Sequence, residues 1–275
     1  MSDERVVLIT GASSGVGQSA ARLLAQRGYN VFGSSRNPTA AIGIPGVEFV
    51  SLDVRADDSV RACVEAVATR SGRIDVLINN AGYELAGALE ELSMDEVRTQ
   101  FETNFFGIVR MVNAVLPLMR RRRNGRIINV SSLTGLTAAP FLGIYSASKF
   151  ALEGYTEALR HEVRPFNIHV SMTEAGFLRT SMMNHRQVAA RRMTEYEPWR
   201  ERALKAIRAH EEKSSGPEPV AEALLDIITS DTPQLRYLIG RQAKSVARLR
   251  RFLPAAMFEQ GARRTFSLDA DRKDS

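Results

Sequence analysis

Short apolar runs alternate with helix-length segments along most of this chain, and this alternation limits its fold more than any other feature. The runs predict six strands, at residues 6–10, 30–34, 47–52, 74–78, 126–130 and 168–173. Each run is nearly continuous in hydrophobicity, as expected of strands that are buried on both faces. The repeated β-α-β order predicts a parallel sheet with helices on both faces. We therefore predict an α/β fold built on a doubly wound parallel sheet.

The pattern changes after residue 176. Residues 177–216 are charged and rich in methionine, with weak helical periodicity and no strand pattern. A long insertion late in an α/β domain is often a functional lid. We therefore predict that this segment is a substrate lid.

The last part of the chain returns to regular structure. The pattern of apolar residues in 217–267 predicts a helix, a last strand at RYLIG and two short helices divided at Pro254. Residues 268–275 are expected to be frayed, as chain ends often are. We predict one domain over residues 1–275, with the cofactor-binding and catalytic groups in residues 1–176.

The composition narrows the class of protein. Hydrophobic residues make up 44% of the chain and charged residues 25%, as in an ordinary soluble globular protein. The single cysteine, Cys63, cannot form an intrachain disulfide and fits a reducing compartment, so we expect a cytoplasmic protein. There is no secretory leader pattern, and no apolar run approaches the ~20 residues of a membrane span.

The net charge of +6 permits contact with nucleic acid, and Arg120–Arg123 form a basic run. No recognition motif accompanies this charge, and cations at the end of a helix complement its dipole. We therefore expect no nucleic-acid partner, and we predict no metal site.

A glycine-rich turn, TGASSGVG, follows the first predicted strand. Its glycines have the spacing G-x-x-x-G-x-G. Glycines let the backbone approach a pyrophosphate closely, and the next helix offers its N-terminal amides and dipole. A tight β-α loop without a ligand could carry the same glycines, but the position after the first strand favours a Rossmann-type nucleotide site. The residues expected to line it are Gly11, Ser13, Ser14, Gly15, Val16 and Gly17.

The end of the second predicted strand indicates which nicotinamide cofactor binds. An acidic residue there would hold the ribose hydroxyls of NAD, whereas an arginine would accept the 2′-phosphate of NADP. The sequence there is VFGSSRNP, which contains no acidic residue and places Ser35 before Arg36. Arg36 could be a solvated loop residue, but the missing carboxylate favours NADP(H) over NAD(H).

Several separated motifs occur together in a fixed order. They are TGASSGVG at 10–17, LDV at 52–54, NNAG at 79–82, Asn104, NVSS at 129–132 and YSASK at 145–149. With them the sequence resembles the short-chain dehydrogenase/reductase family. Its C-terminal part is similar to members related to 17-beta-hydroxysteroid and retinol dehydrogenases. The resemblance implies an oxidoreductase that moves a hydride between nicotinamide and an alcohol or carbonyl carbon.

The resemblance also implies roles for individual residues. Lys149 would bind the nicotinamide ribose, and Asn104 would hold a water that connects this lysine to solvent. The NNAG turn could be only a turn, since Asn and Gly are turn formers. The further residues that the resemblance places at the cofactor are Asp53 and Val54 at the adenine, Asn79, Ala81 and Gly82 beside the strand end, and Gly176 and Thr180 at the nicotinamide amide.

The spacing of Tyr145 and Lys149 is itself informative. Residues four apart share one face of a helix, so a phenol and an ammonium lie side by side. Tyr145 can supply or take the hydroxyl proton, and we expect Lys149 to lower the pKa of its phenol. Ser132 would hold the substrate oxygen. Ser131 competes for this role, and the family spacing to Tyr145 favours Ser132.

Three segments are expected to surround the substrate: YELAG after Gly82, LTGLTAAPFLGI between Ser132 and Tyr145, and the predicted lid after Gly176. Their residues near the substrate are mostly apolar. We therefore expect a small hydrophobic ketone, aldehyde or alcohol rather than a sugar phosphate or a carboxylate. The residues expected at the substrate are Ser132, Tyr145, Leu133, Phe141, Phe177 and Met182. In TEAGFLRT, Ala175 stands where the family usually has proline, which loosens the turn that enters the predicted lid.

Two further expectations concern surfaces. The helical patterns around Phe106 and after Tyr145 carry more apolar residues than one face can bury, and the resemblance implies a homodimer or homotetramer formed through them. Residues 241–253 place apolar and basic side chains on different sides of a helix. This helix either packs on the protein or lies weakly on an anionic membrane, and we expect no firm membrane association. A redox-silent NAD(P)-binding regulator on the same fold is the alternative to an enzyme.

Overall fold

A computed structural model of the protein describes residues 5–39, 43–184 and 186–269. Most of the predicted frayed tail lies outside these residues. The strands are β1 (Val6–Ile9), β2 (Asn30–Ser35), β3 (Val47–Ser51), β4 (Val76–Asn79), β5 (Leu85–Ala86), β6 (Gly125–Val130), β7 (Ile168–Ala175), β8 (Gln187–Val188) and β9 (Arg236–Ile239). The α-helices are α1 (Gly15–Gln26), α2 (Asp57–Ser71), α3 (Met94–Phe101), α4 (Gly107–Arg122), α5 (Gly143–Val163), α6 (Glu197–Glu212), α7 (Glu218–Thr229), α8 (Gly240–Phe252) and α9 (Ala255–Thr265).

Seven strands form one parallel sheet in the order β3-β2-β1-β4-β6-β7-β9. Every residue of β1 and β4 is buried, which explains why these runs are hydrophobic throughout. The strand order reverses between β1 and β4, and open α/β sheets bind ligands at such a point. The predicted doubly wound, single-domain α/β fold is confirmed.

The two faces of the sheet are covered by different helices. Along β1, Val6 and Leu8 pack with α2, α4 and α5, whereas Val7 and Ile9 pack with α1 and α7. Because side chains alternate along a strand, a continuous apolar run serves both cores. These two cores fix the strand ends, from which the functional side chains project.

The long helical pattern before β6 is interrupted in the structure. A π-helical turn, Glu102–Phe106, separates α3 from α4. Such turns insert a residue into the helix and often occur at functional sites. Hydrophobic periodicity does not report this change in hydrogen bonding, so the sequence pattern predicted one continuous helix.

Residues 177–216 contain a strand, although no strand was predicted there. β8 pairs in parallel with β5, through Gln187 N donating to Glu84 O at 2.9 Å and Ala189 N donating to Ala86 O at 2.8 Å. The segment also contains α6, whose Arg200 forms a buried ion pair with Glu91. These contacts attach the segment to the loop that follows β4.

The two predicted C-terminal helices are present as α8 and α9, and they are divided at Pro254. Within the described ranges, none of the helices combines the length and apolar character that crossing a bilayer requires.

Candidate active site

A cleft of about 920 Å³ lies at the carboxyl ends of the central strands. Its wall begins at the glycine turn after β1 and ends at Phe266, after α9. The predicted site residues that line it are Gly11, Ser13, Ser14, Gly15, Val16, Ser35, Arg36, Asp53, Val54, Ala81, Gly82, Asn104, Ser132, Leu133, Tyr145, Lys149, Gly176, Phe177, Thr180 and Met182. One cleft therefore collects residues from the whole length of the chain.

The glycine turn is tight because two glycines have no room for a side chain. Gly11 has a φ of +66°, and a Cβ there would lie 3.0 Å from Ala81 Cα. A Cβ on Gly17 would lie 2.4 Å from both Asn80 Nδ2 and Gly11 O. Gly17 does not line the cleft; instead it lets α1 approach the turn closely, so that the N-terminus of this helix faces the cleft.

Asn80 and Thr10 hold this turn against the end of β4. The Asn80 amide donates to the carbonyl oxygens of Thr10 and Gly11, both at 2.9 Å. The Thr10 hydroxyl accepts from the backbone amides of Asn80 at 2.9 Å and Ala81 at 3.0 Å. Neither residue was predicted to belong to the site, although Thr10 lies in the TGASSGVG motif and Asn80 in the NNAG motif.

Asn79 and Phe141 do not line the cleft, contrary to expectation. The Asn79 amide is buried and donates to Asn129 Oδ1 at 2.9 Å, so Asn79 ties β4 to β6 while the next residue, Asn80, faces the cleft. Phe141 has a φ of +61° and packs beside Leu142 and Tyr145, behind the cleft wall. These positions follow from the direction of each side chain, which the motifs did not specify.

The glycine-turn end of the cleft fits an anionic, hydrogen-bonding cofactor. The first turn of α1 carries no acidic residue, and the Ser14 side chain does not cap this helix. Ser34 Oγ is buried without a hydrogen-bond partner among the described residues, and Ser34 lines the cleft. Buried polar atoms are normally paired. The N-terminal amides of α1 and the Ser34 hydroxyl are therefore free to bind a phosphate and a ribose.

Two arginines line the end of the cleft beside β2 and β3. Arg55 is ion-paired with Asp53 at 2.7 Å, and this hydrogen-bonded pairing lowers the pKa of Asp53 to about 2. Arg36 is exposed, and its positive charge also favours the Asp53 carboxylate. Ser35 Oγ accepts from Asn37 N at 3.2 Å. Arg55 was not predicted to be a site residue.

Tyr145, Lys149 and Ser132 meet at the other end of the cleft. Tyr145 and Lys149 lie in the first two turns of α5, with Lys149 Nζ 5.9 Å from the centre of the Tyr145 ring. Lys149 Nζ donates to Val130 O at 2.8 Å. Ser132 Oγ accepts from Thr134 N at 3.1 Å, whereas the neighbouring Ser131 hydroxyl donates to Glu153. The resulting arrangement can hold and protonate an oxygen.

The charge states at this end differ from the expectation. Burial raises the pKa of Tyr145, and the negative charge of Glu84 adds to this effect, while the Ser132 and Thr134 hydroxyls act in the opposite direction. Burial lowers the pKa of Lys149 to about 8, against the attraction of Glu153 and Glu84. The expected lowering of the phenol pKa by Lys149 is not seen in the protein alone, because burial has the largest effect on the pKa of this phenol.

Asn104 lies in the π-helical turn and is fully buried. Its Oδ1 accepts from Tyr83 N at 3.1 Å, and its Nδ2 donates to Tyr83 O at 3.0 Å. Asn104 therefore fixes the chain that follows the NNAG turn, and its amide lines the cleft beside Gly82.

The wall near Tyr145 is mostly apolar. Besides the predicted Leu133, Phe177 and Met182, it includes Leu142, Ile207, Val246, Leu249, Leu253, Met257, Phe258 and Phe266. Several of these come from α8 and α9. One of the two predicted arrangements for residues 241–253 placed this helix against the protein, and its apolar side does face the cleft.

Three polar residues also line this part of the wall. Glu84, Gln187 and Glu211 belong to the loop before β5, to β8 and to α6. Glu84 and Glu211 are bridged by Arg186. The ion pairs of Arg186 with Glu84 and Glu211 were not predicted, because the three residues are distant in the chain and the β5–β8 pairing brings Glu84 and Arg186 together.

Curated proteins similar to this chain carry the names of reductases and dehydrogenases. The 3-ketodihydrosphingosine reductase of Bacteroides thetaiotaomicron is 40% identical over 94% of this chain and 97% of its own length. Retinol dehydrogenase 8 of Bos taurus is 38% identical over 84% of this chain and 80% of its own length. The 17-beta-hydroxysteroid dehydrogenase type 1 of Homo sapiens is 35% identical over 89% of this chain and 80% of its own length.

Solved structures similar to this chain include short-chain dehydrogenases and a ketoreductase. A short-chain dehydrogenase from Streptomyces avermitilis superposes with a TM-score of 0.82 at 31% identity, over 98% of this chain and 100% of that one. A Burkholderia phymatum short-chain dehydrogenase/reductase in complex with NAD superposes with a TM-score of 0.80 at 26% identity, over 91% of this chain and 94% of that one. A tryptophan variant of actinorhodin polyketide ketoreductase with NADPH superposes with a TM-score of 0.73 at 30% identity, over 86% of this chain and 96% of that one.

The sequence model described as short chain dehydrogenase matches residues 5–190. This range includes the glycine turn, the NNAG turn, Ser132, Tyr145 and Lys149. The chain therefore belongs to the short chain dehydrogenase family of oxidoreductases.

Proposed function

We propose that this protein is an NADP(H)-dependent oxidoreductase that moves a hydride between nicotinamide and a hydrophobic ketone, aldehyde or alcohol. The observation that carries the proposal is the single cleft, which joins the glycine turn at one end to Tyr145, Lys149 and Ser132 at the other. A dinucleotide is long enough to connect these ends. The nicotinamide, when bound, supplies or accepts the hydride.

Tyr145 is the proposed general acid and base. Its raised pKa keeps the phenol protonated in the protein alone, which is the form that donates a proton to a carbonyl oxygen. Ser132 Oγ is close to this phenol and orients the same oxygen through a second hydrogen bond. The choice of Ser132 over Ser131 is supported by the Ser131 hydroxyl, which donates to Glu153.

Lys149 is proposed to hold the cofactor ribose and to keep a positive charge near the phenol. With a pKa near 8, its side chain is close to the boundary between ammonium and amine at neutral pH. A nearby anion or hydrogen-bond acceptor would favour the ammonium form. Asn104 is proposed to hold a water that connects Lys149 to solvent.

The preference for NADP(H) rests on the charge at the end of β2. Arg36 lines the cleft there and no carboxylate occupies the end of this strand. The nearest acid, Asp53, is already ion-paired with Arg55. A 2′-phosphate would meet a positive potential, because two guanidinium groups surround one carboxylate.

The hydrophobic substrate class is supported by the apolar wall and by the relatives. Curated relatives are named for 3-ketodihydrosphingosine, retinol and 17-beta-hydroxysteroid substrates, all of which are lipophilic. In this chain, Phe177, Leu142, Val246 and Leu253 offer a surface that would bind such a molecule through apolar contact. Residues 177–216 are proposed to act as the substrate lid over this surface.

The test is an assay of purified protein with a panel of long-chain ketones, retinoids and steroids, each with NADPH and with NADH. The expected result is oxidation of NADPH, followed by absorbance, that depends on both a lipophilic carbonyl and Tyr145. Tight NADPH binding without turnover on any carbonyl would favour the redox-silent regulator instead.

A further inference from the structure

Glu153 is a buried acid beside the proposed reaction centre, and the mechanism above does not use it. It lies on α5 four residues after Lys149, so the two side chains share one face of this helix. Both residues are buried, with exposed fractions of 5% for Glu153 and 6% for Lys149. Acidic side chains are rarely buried unless they are paired, so the partners of Glu153 indicate its role.

Lys149 and Glu153 bind consecutive residues at the end of β6. Lys149 Nζ donates to Val130 O at 2.8 Å, and the Ser131 hydroxyl donates to Glu153 Oε1. Ser132 is the next residue of the chain. Two side chains one helical turn apart on α5 therefore hold the segment that presents the Ser132 hydroxyl to the cleft.

The turn that follows Ser132 packs directly against the Glu153 carboxylate. This turn comprises Leu133–Gly135. A Cβ on Gly135 would lie 2.8 Å from Glu153 Oε1 and 3.1 Å from Ser131 Oγ. Because the approach is this close, the position of the carboxylate limits the position of the turn and of Ser132.

Arg236, at the start of β9, binds the other oxygen of Glu153. Its guanidinium also pairs with Glu174 on β7 and with Glu157 on α5. Burial and the charge of Glu153 raise the pKa of Glu174 to about 7, so Glu174 is mostly protonated below this pH. Glu153 accepts from two donors, the Ser131 hydroxyl and Arg236, as suits a carboxylate.

The charged groups that act on Lys149 come from α5 and from the loop before β5. Burial disfavours the Lys149 ammonium, whereas the carboxylates of Glu153 and Glu84 both favour it, and Glu153 has the larger effect of the two. Glu84 is itself ion-paired with Arg186. Tyr145, the other titratable neighbour on α5, has a raised pKa and stays neutral. The main support for the charge of Lys149 therefore comes from its own helix.

We propose that Glu153 is a positioning residue for the reaction, which holds Lys149 in its ammonium form and fixes the turn after Ser132. This inference rests on the proposed function, in which Lys149 binds the cofactor ribose and Ser132 orients the substrate oxygen. A purely structural pair of Glu153 and Arg236 would attach α5 to the sheet without affecting the charge of Lys149. The two cases differ in how activity depends on pH.

The experiment is the pH profile of kcat/KM for NADPH, measured with the most active ketone of the panel described above. This parameter reports the titrating groups of the free enzyme. For the wild-type protein it should fall as the pH rises through about 8, the pKa of Lys149. Glu153→Gln keeps the shape of the side chain and removes its charge. The ammonium is then less stable, so the fall should move to lower pH by roughly one unit.

Glu157→Gln is the matched control, because Glu157 lies one turn further along α5, also pairs with Arg236 and is half exposed. Its pH profile should match that of the wild-type protein. In Glu153→Gln, the carboxyl of Glu174 loses a like charge and ionises more readily. Combining Glu153→Gln with Glu174→Gln removes this substitute anion and should move the fall in kcat/KM at least as far.

The outcomes separate this inference from the proposed function. An unshifted profile in an active Glu153→Gln protein, or an equal shift in Glu157→Gln, would overturn the role of Glu153 and leave the reductase function intact. Absence of turnover by the wild-type protein on every ketone would overturn the proposed function itself.

A stability cycle gives a readout without turnover. Glu153→Gln leaves the Lys149 ammonium buried without this carboxylate, and Lys149→Met removes the ammonium. In urea unfolding at pH 7, Lys149→Met should therefore cost less stability in the Glu153→Gln chain than in the wild-type chain. Equal costs in the two chains would contradict the pairing. If Glu153→Gln alone does not fold, we expect Lys149→Met to restore folding, and failure to do so would also overturn the inference.

Discussion

The Lys149 ammonium nitrogen lies 5.9 Å from the centre of the Tyr145 ring, and both side chains are almost completely buried. Burial acts on the two groups in opposite senses, raising the pKa of the phenol and lowering that of the amine. Both shifts favour the neutral forms. The protein alone therefore resembles the state that gives a proton to a carbonyl oxygen rather than the state that takes one from an alcohol.

Replacing Tyr145 tests proton transfer. Tyr145→Phe keeps the ring and removes only the hydroxyl, so NADPH binding should be nearly intact. Turnover should drop by about two to four decades, the usual loss for a positioned acid–base group. Steady-state kinetics and NADPH fluorescence titration measure the two effects. Tyr155→Phe on the same helix is the control, and a Tyr145→Phe turnover within threefold of the wild-type value would contradict the assignment.

Replacing Arg36 tests the choice of cofactor. Arg36→Ala should weaken NADPH binding by roughly 1.5–3 kcal/mol, as for a lost charge-assisted hydrogen bond, and should change NADH binding little. Calorimetric titration with each cofactor measures the difference. Arg22, exposed on α1 and away from the cleft, is the control position. Equal weakening of both cofactors would show that Arg36 does not contact the 2′-phosphate.

The pH dependence of stability can be predicted at Glu174. Burial, together with the charge of Glu153, raises the pKa of this carboxyl to about 7. Between an unfolded-state pKa of about 4.3 and a pH of about 7, the folded protein holds a proton that the unfolded chain has lost. The free energy of unfolding therefore falls as the pH rises through this window, because the charged form is less stable in the fold.

Glu174→Gln removes this titration. Its stability relative to wild type should increase from pH 5 to pH 8, by roughly 1–3 kcal/mol. Urea unfolding at several pH values measures this change. Glu157→Gln, which alters a more exposed partner of the same Arg236, should show a smaller dependence on pH. A Glu174→Gln difference that stays constant over this range would disprove the prediction.

Stability should also depend on the buried pair of Arg200 and Glu91, whose side chains are 2% and 0% exposed. Arg200→Met leaves the Glu91 carboxylate buried without its cation, and we expect a loss of about 3–5 kcal/mol in the free energy of unfolding. Arg208→Met breaks an exposed pair with Glu212 and should cost about 0.5 kcal/mol or less. Similar losses in the two variants would mean that the buried pair does not anchor α6.

Assembly is predicted from two exposed aromatic side chains. Phe106, in the π-helical turn, is 44% exposed, and Phe150, on α5, is 40% exposed. We expect these to be covered in a homodimer or homotetramer. Light scattering should give a multiple of the monomer mass, and Phe106→Glu should reduce it. Phe252→Glu on α8 is the control, and a wild-type monomer at micromolar concentration would argue against the assembly.

The sequence predicted the sheet well because burial on both faces leaves a strong local pattern. Each of the seven strands of the sheet was placed with small errors at its ends. The π-helical turn was missed because its hydrogen bonding does not alter the apolar periodicity, and β8 was missed because a two-residue strand depends on a partner far away in the chain. The residue that follows α4, Arg123, has a left-handed backbone with a φ of +50° although it is not a glycine, and the apolar pattern does not report this conformation.

The candidate site was predictable where motifs specify backbone shape and reacting groups. Side-chain direction was not predictable, which is why Asn79 was placed in the cleft and Asn80 was not. Charge balance was also not predictable. The cluster around Arg186 and the raised pKa of Tyr145 both depend on burial, which only the folded chain determines.

The cleft takes its wall from both ends of the chain, from the glycine turn after β1 to Phe266 after α9. During synthesis, the residues that would hold a dinucleotide leave the ribosome long before those that complete the apolar wall. A nascent chain that has reached α7 already contains Tyr145 and Lys149 but still lacks α8 and α9. A protein truncated before α8 should therefore retain the cofactor groups and the part of the apolar wall that includes Leu142 and Phe177, but lack the part that α8 and α9 contribute.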